Sequence, residues 1–182
     1  VPGLASASPV IVQTAVRLDA GRPGSALQVI GLDLVAESAS RGFRVIQGQD
    51  DNPLADLLKA DSLYLGRKLA AEWHLEKGST IRLQVGARQV QARIAGVIQD
   101  RSDRVSSWDH VAIMDIAAAQ VLFGMVGKLD RIDLVTSPEA EIDAAAQAVR
   151  AVLPPHVTVE RPTSRTRQVE QMVRAFRLNL TV

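Results

Sequence analysis

Runs of alternating or continuously apolar residues, broken by short segments of helical spacing, divide the chain into elements. Pro9 to Leu18 is rich in β-branched residues (Val10, Ile11, Val12, Thr14, Val16) and predicts a mostly buried strand, and Ala26 to Val35 predicts a second. The Gly and Pro of Asp19-Ala-Gly-Arg-Pro-Gly24 predict a turn between them and so an antiparallel pair. From Ala36 to Asp61 the pattern dissolves into a polar, turn-rich connection that contains Phe43-Arg44-Val45-Ile46, a candidate boundary. Ser62 to Leu65 is a short strand. Gly66 to Leu75 follows as a helix with Leu69, Ala70 and Trp73 inward and Gly78 as its stop. Thr80 to Val85 and Gln89 to Val97 alternate apolar and polar residues around Gly86-Ala87, the pattern of a hairpin with one wet face.

Gln99 to Trp108 is polar and loop-like, with charges of both signs. His110 to Met114 returns to strand character, Asp115 is placed to cap a helix over Ile116 to Phe123, and Gly124 ends it. Arg131 to Val135 is the next strand. Ser137-Pro138-Glu139 resembles a helix start, and Glu141 to Leu153 carries Ile142, Ala145, Ala146, Val149 and Leu153 on one face. Val157 to Val159 predicts a last short strand. In Arg165 to Val182, Val169, Met172, Val173, Phe176 and Leu180 fall on one helical face, and no Gly or Pro closes the pattern. Two readings fit this segment: a terminal amphipathic helix packed on a core, or a stalk leading into a membrane span. Strands alternating with single helices predict a mixed α+β fold, small sheets with flanking helices.

Composition narrows the function classes. With 47% hydrophobic residues the 182-residue chain is long and apolar enough to bury a core. Its 21 basic and 20 acidic side chains nearly cancel, which argues against nucleic acid as a partner. Without cysteine there is neither a disulfide nor a thiolate nucleophile, and no window holds the roughly 18 consecutive apolar residues of a membrane span. Val1-Pro2-Gly3-Leu4 lacks the basic and apolar regions of a signal peptide.

Several stretches together resemble a known family. Leu65-Gly66-Arg67-Lys68-Leu69-Ala70, then Glu76-Lys77-Gly78-Ser79-Thr80-Ile81, then the strand Val90 to Val97 are similar to the pattern of the periplasmic core domains of FtsX-like, MacB-type ABC transporter permeases. His110-Val-Ala-Ile-Met-Asp115 with Ala119-Gln120 and Phe123-Gly124 resembles the next segment of that family. Arg131 to Val135 resembles its following core strand, and Arg165 to Val182 the helix entering the second transmembrane span.

The resemblance implies an extracytoplasmic domain between two transmembrane helices of a permease, on the periplasmic side of the inner membrane. It implies a membrane-proximal Porter-like part, residues 1–36 plus 124–182, with a Sabre-like insert at 37–123. Function would be mechanical: a separate cytoplasmic ATPase subunit moves the membrane helices, and this domain handles a periplasmic substrate, protein or lipoprotein partner, in a transporter that is dimeric. The domain itself would be non-catalytic and need no cofactor. Arg165, Arg167, Arg174 and Arg177 are the candidate membrane-proximal collar, since basic side chains suit lipid headgroups.

The residues offer little for an enzyme. His74, His110 and His156 lack metal-ligand spacing, and no nucleophile elbow, P-loop or dinucleotide fingerprint occurs. Asp109-His110 near Ser106 and Ser107 is a hydrolytic cluster only on paper, because triads assemble in space. Asp50-Asp51-Asn52 lacks the spacing of a calcium loop and reads as a turn. The alternative to the permease reading is a free-standing periplasmic adaptor or ligand-binding module. In either case Arg101, Arg104 and Trp108 are the candidate partner-binding residues, being hot-spot residue types on a loop.

Overall fold

The computed structural model describes residues 1–19, 26–36, 43–46, 59–100 and 109–160. The turn at 20–25, Asp50 to Asn52, the loop 101–108 and the terminal segment from 161 therefore lie outside the described residues. Two compact units emerge, Ala7–Asp133 and a second formed by Val1–Ser6 with Leu134–Val182.

The larger unit is built on β1 (Leu4–Arg17), β2 (Ala26–Leu32), β3 (Phe43–Ile46), β4 (Ser62–Gly66), β5 (Thr80–Val85), β6 (Arg88–Asp100) and β7 (Val111–Asp115), with helices α1 (Arg67–Glu72) and α2 (Ile116–Phe123). Their order is β2-β7-β4-β6-β5-β1, and β1 also pairs with β2, so the ladder returns to its starting strand. The β1–β2 pair is antiparallel as the intervening turn residues predict, with Val12 opposite Ile30. Two links are parallel, β2 with β7 and β4 with β6. The circuit closes narrowly between β1 and β5, where only Val16 and Arg17 face Gln84 and Leu83, extended by a 2.9 Å bond from the Leu18 N–H to the Arg82 carbonyl.

Alternation sorts the strand side chains to two faces. Ile11, Ala15, Leu27, Val29, Leu63, Leu65, Ile81, Leu83, Ala92, Ile94, Ala112 and Met114 join one core with Leu69, Ala70 and Trp73 of the α1 region and Ala118, Ala119 and Phe123 of α2. The other face gathers Val10, Leu32, Tyr64, Ala95, Ile98 and Ile113. A bulge lets β6 serve both: Leu63 pairs with Ile94 but Tyr64 with Gly96, so Ala95 is the extra residue and the inward parity passes from Ile94 to Val97.

The smaller unit holds the start of β1, the end of β8 (Arg131–Thr136) and α3 (Ile142–Val152). β8 follows β1 in the strand order. The Ser137 N–H donates to the Gly3 carbonyl at 3.0 Å, and Gly3 takes φ 80°. A Cβ there would stand 3.2 Å from that of Ala140. α3 buries Ala145 and Val149, two members of the predicted stripe, and its Glu141 N-cap makes no side-chain cap.

The mixed α+β class holds, with the strands joined in one mixed sheet. Several sequence expectations need correction. Phe43–Ile46, read as part of a connection, is β3, antiparallel to β6. β2 stops at Leu32 rather than Val35, because the Asp33 carboxylate accepts the Ala36 N–H at 3.0 Å and turns residues 34–36 into a helical turn. Helix α1 ends well before Gly78: His74, at φ 52°, closes it. The His74 N–H reaches the Ala71 carbonyl at 3.2 Å and the Leu75 N–H the Ala70 carbonyl at 3.0 Å, a Schellman closure without glycine. Val157–Val159 forms no strand, for the Val157 N–H turns back to the Pro154 carbonyl at 3.0 Å and Arg150 donates to the Val159 carbonyl at 3.4 Å.

Candidate functional site

The candidate loop residues Arg101, Arg104 and Trp108 and the candidate collar Arg165, Arg167, Arg174 and Arg177 all lie outside the described residues. Both feet of the loop are described. One is Asp100, the last residue of β6, whose final four residues pair with β3. The other is Asp109, buried, with its Oδ2 atom 2.9 Å from the Lys68 ammonium. Its carbonyl also accepts the Leu69 N–H at 3.0 Å. Gly66 supplies no side-chain cap to α1, and Asp109 meets that end of the helix from across the chain. The segment entering β7 is thus fixed to α1 by one ion pair and one backbone bond.

Of the hydrolytic cluster, Ser106 and Ser107 lie outside the described residues. The Asp109 carboxylate is engaged by Lys68, while the adjoining His110 side chain is exposed. Among the described residues no group of three or more acidic or histidine side chains is arranged to hold a metal ion.

A second polar cluster gathers where β1 leaves the sheet. The Arg17 guanidinium lies 5.2 Å from the centre of the Trp73 ring, donates to the Trp73 carbonyl at 3.3 Å and pairs with Asp19 at 2.9 Å. A cation over an indole face gains from the ring quadrupole, and the contact ties the end of α1 to β1. Sequence inspection missed this pair because Arg17 and Trp73 are far apart in the chain and neither carries a motif. Beside α1 an open depression of about 470 Å³ is lined by Arg67, Ala70, Ala71, His74, Leu75, Glu76 and Val97. Its lining mixes aliphatic side chains with the charged Arg67 and Glu76.

The described residues thus supply anchors, an aliphatic core and surfaces for contact. The fold is similar to that of the extracellular domain of the noncanonic ABC-type transporter YknZ from Gram-positive bacteria, with a TM-score of 0.58 at 12% identity over 84% of this chain and 76% of that one. It is also similar to a domain of a proposed permease protein from Porphyromonas gingivalis, with a TM-score of 0.52 at 17% identity over 88% of this chain and 68% of the other. In sequence the chain is 33% identical over 164 residues to an uncharacterized ABC transporter permease protein of Mycobacterium tuberculosis. That match takes in 88% of this chain but only 18% of the permease. Fold and sequence together define an extracytoplasmic domain of an ABC-type permease. More particularly, the chain belongs to the family of MacB-like periplasmic core domains, whose model matches residues 1–152. No described helix is long and apolar enough to cross a membrane.

Proposed function

We propose that this domain lies between two transmembrane helices of a permease, on the periplasmic face of the inner membrane, and couples ATP-driven motion of those helices to the handling of a periplasmic substrate or partner protein. The observation that carries the reading is the placement of Val1–Ser6 in the same compact unit as Leu134–Val182. Joining both ends of the chain in one unit lets two membrane helices act on the domain through a common base. The ATPase is a separate cytoplasmic subunit, the permease works as a dimer, and the domain performs no catalysis.

Within this reading the Porter-like part is residues 1–36 plus 124–182, a wider span that contains this base, and 37–123 is the Sabre-like insert. Arg165, Arg167, Arg174 and Arg177 form the collar at the headgroups. The loop bearing Arg101, Arg104 and Trp108 meets the partner; its support is the foot at Asp109, which Lys68 and Leu69 hold to α1. Charge reversal at Arg101 and Arg104 in the full-length permease is expected to impair transport while leaving the thermal unfolding of the domain unchanged. Undiminished transport would remove the loop from the site.

A further inference from the structure

The connection from α2 to β8 is short, tied down and aliphatic on its outside. Val121 is 60% exposed, Val126 71%, Leu129 42% and Ile132 56%. Its backbone is pinned at several points. The Met125 N–H reaches the Gln120 carbonyl at 2.7 Å, the Lys128 N–H the Met125 carbonyl at 2.8 Å, and the Gln120 amide the Lys128 carbonyl at 3.1 Å. Asp130 donates its N–H to the Val10 carbonyl at 3.1 Å and accepts the Val12 N–H at 2.7 Å. Aliphatic groups held in water by a fixed backbone form a surface whose ordering cost is already met before anything binds.

Charge beside the patch is cationic. The Arg88 guanidinium lies against Gly124, with Cζ 3.3 Å from where a Cβ would stand, and that space exists because Gly124 closes α2 at φ 68°. Lys128 is exposed within the turn itself. Among the described residues neither Arg88 nor Lys128 forms an ion pair and Arg131 is paired with Asp133 at 2.7 Å, while the exposed Asp130 keeps its charge as it accepts the Val12 N–H, so two free cations stand against one anion. All these residues belong to the Ala7–Asp133 unit.

We propose that the α2–β8 connection docks an acidic, apolar-faced segment of a partner protein, with Val121, Val126 and Leu129 taking its apolar side chains and Arg88 and Lys128 its carboxylates. The proposal rests on the reading that this domain handles a partner outside the membrane, and it adds the partner's chemistry. A lipid surface fits less well, since the patch lacks the exposed aromatic rings that suit the membrane interface. A second copy bound through the same patch would set Arg88 and Lys128 against like charges.

The test is a fluorescence titration of the 182-residue chain with a labelled synthetic helix bearing Leu on one face and Glu on the other. Its Lys-for-Glu counterpart and vesicles of phosphatidylglycerol with phosphatidylcholine serve as the other probes. The Glu helix should bind, the Lys helix should not, and Val126→Asp or the pair Arg88→Glu with Lys128→Glu should weaken binding about tenfold without changing the thermal midpoint. Absence of binding, equal binding of both helices, or binding indifferent to these substitutions would overturn the proposal. Vesicle binding that Val126→Asp abolishes would overturn it in favour of a lipid surface. None of these outcomes depends on membrane topology or transport, so they leave the permease reading to its own tests.

Discussion

Gly31 sits where β2 passes beneath α2, opposite Ile11 in the β1 ladder. A Cβ at this position would fall 2.7 Å from that of Ala119 and 3.3 Å from that of Ile11, both fixed by packing rather than free to swing away. Gly31→Ala should therefore force α2 off the sheet and cost about 1–3 kcal/mol in urea unfolding. Unchanged stability would show that helix and sheet separate freely. The sequence does not announce this glycine, because its role is to admit a side chain 88 positions later. Asp115 and Gly124, by contrast, are legible, since a cap acts on its own neighbours: Asp115 accepts the Ala117 N–H at 2.9 Å, and Gly124 takes the left-handed conformation. The candidate site residues rest on residue type alone and lie outside the described residues.

At the scale of elements, local chemistry read correctly and long-range closure did not. The β5–β6 hairpin follows from alternation and its Gly86-Ala87 turn, with Val85 opposite Arg88. The sequence expectation places the stop of α1 too late, because the left-handed residue that closes it is a histidine rather than the glycine that usually marks such an end. Likewise β3 gains its strand character from β6, a partner that no window of its own sequence contains. The Lys68–Asp109 pair is the element-scale device most open to test. Its carboxylate is buried while the ammonium is half in water, so Lys68→Met removes an ammonium from a group that cannot turn to solvent. Combined with Asp109→Asn, the loss should be smaller than the sum of the two single variants, with a coupling of about 1 kcal/mol by urea unfolding. Strict additivity would mean that the contact does not hold the entry to β7.

Across the whole molecule, the strand ladder that returns from β1 to β2 gives a circuit of pairings around one aliphatic core, and chain order alone does not reveal it. The α+β class and the family were legible, because the stretches carrying the resemblance occur in the right order along most of the chain and residues 1–152 match the family model. Val1–Ser6 falls in one compact unit with Leu134–Val182. On this arrangement rests the claim that both ends lead to membrane helices. The most direct test is the topology of the full-length gene product, read from the residues that flank Val1 and Val182 and from a reporter active only outside the cytoplasm, fused within this domain. The account predicts an apolar span on each side and an active reporter. A product without flanking spans, or a reporter silent in a stable fusion, would contradict it and favour a free-standing adaptor.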